Sequence, residues 1–181
     1  MSTTSPLQRL IERAGPGEPT GQSLPVASAN VPASLGEVWR EVGLQMWLDG
    51  FLWLTDPAEF GSILAALGQD AENGLVFART GLGDFVLWQL DRVYLANMRI
   101  GSVDPIASDP LDALNFHLAG AEFCDRILAH ALYREARQRL PRPNHHQCYG
   151  FVPAPQLGGP GTADSLKVVE MLPYLEILAQ L

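Results

Sequence analysis

Gln45-Met46-Trp47-Leu48-Asp49-Gly50-Phe51-Leu52-Trp53-Leu54 reads as two short apolar strands, Gln45 to Leu48 and Phe51 to Leu54, folded about a turn. Asp and Gly tolerate the positive φ angles that a two-residue hairpin requires, and Asp49-Gly50 places them at the centre. Valine at Gly50 is therefore expected to destabilise by more than about 1 kcal/mol. On the N-terminal side, a helix from about Pro32 to Val42 puts Leu35, Val38, Trp39 and Val42 on one face. Before it, Ser5-Pro6 opens a short helix to about Ala14, and Gly15 to Pro25 reads as a Gly/Pro-rich linker. On the C-terminal side, Asp56-Pro57 caps a helix to about Leu67, with Phe60, Ile63, Leu64 and Leu67 facing inward. Leu75–Arg79 and Phe85–Leu90 form two strands around Thr80-Gly81-Leu82-Gly83-Asp84, and Val93–Ile100 forms another. These connections are too short for crossover helices, so the expectation is an antiparallel meander of four or five strands.

The second half turns helical. Asp109-Pro110 repeats the cap-plus-proline device and starts a helix to about Leu118. Gly120 separates it from a longer helix, about Ala121 to Leu140, with Cys124, Ile127, Leu128, Ala131 and Leu132 on its apolar side. Arg126, His130, Arg134 and Arg137 occupy the opposite side. After Pro141 and Pro143 come a strand around Cys148–Val152, a Gly-rich loop, a strand near Leu166–Val169 and a last helix from Pro173. The fold class is α+β: a mainly antiparallel sheet with helices packed against it, in a single compact domain. Its parts are an N-terminal helix and linker (1–23), a first part (24–110) and a C-terminal part (111–181), packed as one globule.

With 181 residues, 47 % hydrophobic and 18 % charged, the chain has the balance of one globular domain. The most apolar stretch, Leu44–Leu54, is interrupted by Asp49-Gly50 and is far shorter than a membrane span. The N-terminus carries Glu12 and Arg13 where a signal peptide would be apolar, and there are two cysteines, so the expected compartment is the cytoplasm. Cys124 reads as a small buried hydrophobe. A net charge of −8 argues against nucleic acid as a direct partner. Residues 49–125 hold twelve Asp and Glu against three Arg, a balance of −9, whereas 126–147 hold five Arg against one Glu, or +4. Such an asymmetry suits a protein that docks a basic surface.

No catalytic constellation stands out. His145-His146-x-Cys148 alone has metal-ligand chemistry, but on a strand only His146 and Cys148 share a face, and no second ligand pair accompanies them. No zinc and no cofactor are therefore expected. Gly158-Gly159-Pro160-Gly161 lacks a following Lys-Ser or Lys-Thr, and Gly81-x-Gly83 joins two strands, so both read as turns. His117 and His130 sit singly on helices, and Asp109 and Asp112 suit a helix start. Four tryptophans, Trp39, Trp47, Trp53 and Trp88, are mostly core residues, and one exposed near the hairpin would mark an interface.

Val38-Trp39, Gly43, Asp49-Gly50-Phe51-Leu52-Trp53-Leu54 and Asp56-Pro57-x-Glu59-Phe60, continued by Val76-Phe77-Ala78-Arg79-Thr80-Gly81-Leu82-Gly83-Asp84, resemble the bacterial GAD-like domain. Tyr149-Gly150-Phe151-Val152-Pro153-Ala154, Leu157-Gly158-Gly159 and Leu175–Leu181 resemble the companion C-terminal domain of the same proteins. The resemblance implies an immunity protein of type VI secretion that neutralises a cognate DNase toxin by blocking its DNA site. It implies a basic groove on that partner, no catalysis, no direct nucleic-acid contact and no membrane. The alternatives are a general interaction or regulatory module with another basic partner, and an enzyme using His146 and Cys148. The contact surface is expected on the acidic half, with Asp49, Glu59, Asp70, Glu72, Asp84 and Asp91 as candidates; Asp49, Asp84 and Asp91 lie on or beside sheet turns. Reversing Asp84 and Asp91 together to Lys is expected to weaken binding without much change in melting temperature.

Overall fold

The computed structural model describes residues 5–23 and 31–181. The linker's last two residues, 24–25, lie outside that set, as do the first four residues of the chain. The architecture is an antiparallel sheet of seven strands in chain order: β1 (Glu18–Pro19), β2 (Gln45–Trp47), β3 (Leu52–Leu54), β4 (Leu75–Thr80), β5 (Phe85–Gln89), β6 (Arg92–Asn97) and β7 (Ser102–Ala107). A second, two-stranded sheet pairs β8 (Gln147–Phe151) with β9 (Leu166–Glu170). The helices are α1 (Gln8–Ala14), α2 (Ala33–Val42), α3 (Gly61–Ala66), α4 (Pro110–Asp112), α5 (Ala121–Arg126), α6 (His130–Arg137) and α7 (Met171–Leu178).

Helices cover both faces of the large sheet, which is why β4 is buried along its whole length. Successive side chains of a strand point to opposite faces. Phe77, Val86 and Leu95 enter one hydrophobic cluster with Leu7, Leu10, Leu35, Val38, Leu128 and Tyr133 from the helices and their flanks. Val76, Phe85, Leu87 and Ala96 enter another with Ile63 and Leu64 of α3 and Met171, Leu175 and Leu178 of α7. The N-terminal helix is part of this core: Leu7 and Leu10 are buried, each worth about 1.5–3 kcal/mol. Asn115 Nδ2 also donates to the Pro6 carbonyl, and Arg13 Nη1 to that of Ala119.

The hairpin forms in the expected register, Met46 opposite Trp53 and Trp47 opposite Leu52. Asp49 (φ 56°) and Gly50 (φ 84°) are its central residues, and the Phe51 N–H donates to the Leu48 carbonyl at 3.2 Å. The left-handed stretch begins one residue early, at Leu48 (φ 54°), so the strands stop at Trp47 and resume at Leu52. Asp56 and Asp109 cap as expected, accepting from the Ala58 and Leu111 amides.

Three expectations need correction. Among the described residues the sheet has seven strands: β1 comes out of the linker, and β7 carries Asp104-Pro105, residues that suit only an edge. The helix begun at Pro110 loosens into a π-helical stretch over Ala113–Leu118. The long helix is two helices, interrupted at Ala129 (φ 56°). The buried positions explain the break, because Leu128 and Tyr133 both enter the core five residues apart, a spacing that one straight helix does not place on one face. In consequence Ile127 is exposed, and His130 turns inward to stack on Phe51, with ring centroids 4.4 Å apart. Trp39, Trp47 and Trp53 are buried and Trp88 is half-buried.

Candidate functional site

Strand register sorts the six acidic candidates to the two ends of the large sheet. Leu75 lies opposite Trp88 and Gln89 opposite Arg92, so the loop before β4 and the turn after β5 share an end. The Asp70 N–H donates to Gln89 Oε1 at 3.3 Å, and Gln89 Nε2 donates to Gln69 Oε1 at 3.3 Å, which ties that loop to the turn. Asp70, Glu72 and Asp91 are thereby brought together. Glu59 follows β3 on the 3₁₀ turn Pro57–Phe60, at the same end. Asp49 and Asp84 sit on the turns at the other end.

At the Asp91 end no carboxylate has an ion-pair partner among the described residues. Glu59 accepts a hydrogen bond from Gln22 Nε2 at 3.0 Å. Asp70 closes its own loop, accepting from Asn73 Nδ2 and from the amides of Asn73 and Glu72. The hydrogen bond from the Asn73 side chain, above all, holds the Asp70 carboxyl below its ordinary value. Glu72 and Asp91 are exposed. Leu90, 76 % exposed, precedes Asp91 in a turn in which Leu90 (φ 51°) and Asp91 (φ 55°) are both left-handed without a glycine. The sequence reading did not pick out Leu90; a leucine where a tight turn favours Asn or Gly was the available signal.

The other end is chemically closed. Asp84 is 0 % exposed and pairs with Arg99 Nε at 2.7 Å. Burial pushes its carboxyl up while the Arg99 guanidinium opposes the shift. Arg99 also donates to the Ile127 carbonyl at 2.8 Å. Asp84 is therefore not on the surface, and the expected harmless reversal to Lys is withdrawn: it would bury a second cation beside Arg99. Asp49 is exposed but lies 2.8 Å from Arg137 Nε and 3.6 Å from Arg142 Nη1, and Arg142 also reaches Glu18 at 2.9 Å.

Between the two ends, Arg79 is buried, and among the described residues no carboxylate lies in salt-bridge range of it. It lies over the Trp53 ring at 4.4 Å and donates to the carbonyls of Thr80, Asn144, His145 and Gln147. Burial lowers its pKa to about 10, so it stays charged at neutral pH and ties the loop before β8 to the sheet.

The His145-His146 pair precedes β8 instead of lying on it. The two rings lie against each other with centroids 3.5 Å apart, tilted by 44°. Cys148 points into the core, and burial pushes its thiol up to about 12, while His146 is exposed. The two do not form one site. Among the described residues no group of three or more His, Cys, Asp or Glu is placed to hold a metal. Also among the described residues, no helix is long and apolar enough to cross a membrane.

Residues 7–101 match the GAD-like domain family. Residues 112–181 match the family described as T6SS immunity protein Tdi1, C-terminal. The crystal structure of Atu4351 from Agrobacterium tumefaciens is similar over 96 % of this chain and 88 % of that chain, with a TM-score of 0.73 at 20 % sequence identity. At that identity the likeness carries the fold. No curated protein matches.

Proposed function

The chain belongs to the GAD-like domain family, and on that premise we propose that it is an immunity protein of type VI secretion that binds a DNase toxin and covers its DNA site. The match of its C-terminal part to the Tdi1 family supports the immunity role. The single observation that carries the mechanism is the acidic end of the sheet, where Glu59, Asp70, Glu72 and Asp91 make no ion pair among the described residues and Leu90 beside Asp91 is exposed.

A nuclease groove is built to receive a row of phosphates, so it presents Lys and Arg. Carboxylates fixed on a rigid sheet end meet those cations without the cost of breaking an internal ion pair. Asp70 is held in place by its own loop, and Asp91 by the Leu90–Asp91 turn. Leu90 adds an exposed apolar contact beside Asp91, whose burial against the partner would add to affinity. Inhibition of this kind excludes DNA and needs no catalytic residue. The toxin acts on chromosomal DNA, so the encounter takes place in the cytoplasm.

Co-expression with a candidate nuclease toxin tests the proposal. Growth is rescued, the two proteins co-purify, and DNA cleavage falls with toxin occupancy. A toxin that this chain neither binds nor neutralises, tried across the nucleases encoded beside it, would refute the reading.

A further inference from the structure

Beside the Leu48–Phe51 turn, along α6, runs an open groove of about 550 Å³. Leu48 and Tyr133 contribute to it, and Phe51 packs against both His130 and Tyr133, at ring distances of 4.4 and 5.3 Å. Leu48 and His130 also line an adjoining cavity of about 350 Å³ that reaches Leu10 and Cys124. The groove follows α6 from His130 to Gln138. At 1.5 Å per residue that is about 12 Å, the length of three or four residues of extended chain.

Its charge is opposite to that of the acidic end. Arg134 and Arg137 face it against one carboxylate, Asp49. Arg137 is committed to Asp49 at 2.8 Å. Arg134 is held only loosely: its side chain is 62 % exposed, and its ion pair with Asp125, the single one it makes among the described residues, spans 3.9 Å. An exposed pair of that length is weak and leaves most of the fork's donors open to a second carboxylate.

We propose that this groove is a second docking site on the same partner. It takes an extended toxin segment that lays an apolar side chain over the half-buried Leu48 and presents Asp or Glu to Arg134. The inference rests on the immunity reading, because the partner is the toxin. A DNA-binding groove is repelled by Arg134, so the segment is a different, acidic part of the toxin. The two sites lie at opposite ends of the sheet, about 20 Å apart for six-residue strands, and one partner held at both gains affinity from the second contact.

The test uses full-length protein and a catalytically inactive form of the toxin. Arg134→Glu is expected to weaken binding by about tenfold or more, with an unchanged melting temperature. A photoreactive benzophenone side chain at Gln138, in otherwise unaltered protein, is expected to crosslink to a toxin segment containing Asp or Glu. That arm decides the matter even if Arg134→Glu folds poorly. Unchanged affinity with no crosslink, or a crosslink to a segment lacking carboxylates, overturns the second site and leaves the immunity reading standing. Failure of the unaltered protein to bind any tested toxin overturns both.

Discussion

At the Leu48–Phe51 end of the sheet, Asp49 and Asp84 each have an arginine within 2.8 Å; at the Leu90–Asp91 end, no carboxylate has an arginine within salt-bridge range among the described residues. Both ends are made of tight turns with left-handed residues, and both carry aspartates that look alike in sequence. What separates them is the second half of the chain. Its arginines, Arg137 and Arg142, fold back onto Asp49, and Arg99 crosses from the β6–β7 turn to Asp84. One end therefore spends its charge on holding the fold, and the other leaves its charge for a partner. Substitutions should divide in the same way, into those that unfold and those that unbind.

The largest effect belongs to the closed end. Arg99→Leu strands Asp84 in the core and should cost about 3–5 kcal/mol at neutral pH by denaturant unfolding. Burial raises the Asp84 pKa, and loss of Arg99 removes the opposing pull, so the carboxyl takes up a proton more readily in the folded variant. A folded pKa above the unfolded one adds stability as pH falls, so the gap to wild type should narrow on acidification. A gap independent of pH would mean that Asp84 is not the stranded charge.

Next comes Gly50→Val, about 1–3 kcal/mol by thermal melt, since φ is 84° and a Cβ there would lie 3.1 Å from Arg142 and 3.2 Å from the Tyr133 hydroxyl. An unchanged melt would break the picture of a turn clamped between α6 and Arg142.

The open end should respond little. Asp70→Ala should lower the melting temperature slightly at neutral pH. Because the Asp70 pKa is depressed by its Asn73 hydrogen bonds, that contribution exists above its unfolded pKa and is lost as pH falls through the folded one. The melts of variant and wild type should therefore converge in acid. Glu72→Lys with Asp91→Lys, both exposed, should stay within about 0.5 kcal/mol of wild type.

How far the sequence was readable follows the same division between local and distant causes. Asp49-Gly50 between apolar runs, and Asp56-Pro57 and Asp109-Pro110 as caps, are local devices and appear where they were read. The edge strand β7 was hidden by Asp104-Pro105, residues chosen to discourage edge pairing, which remove the usual strand signal. The break at Ala129 has no local marker and comes from the need to bury both Leu128 and Tyr133. At the candidate site, four of the six acidic residues, Glu59, Asp70, Glu72 and Asp91, share one end, but only strand register reveals it. Asp84 was misjudged as a surface residue because its partner, Arg99, is fifteen positions away and reaches it only through the β5–β6 pairing. Leu90 was missed because an exposed leucine is unremarkable until the turn around it is known.

The division between the two ends is tested most directly by the affinity of Glu72→Lys with Asp91→Lys for the toxin, measured across a range of salt concentrations beside wild type. The account predicts a folded variant that binds at least about tenfold more weakly, with a shallower dependence of affinity on salt. Equal affinity and an equal salt slope in the folded variant would contradict it.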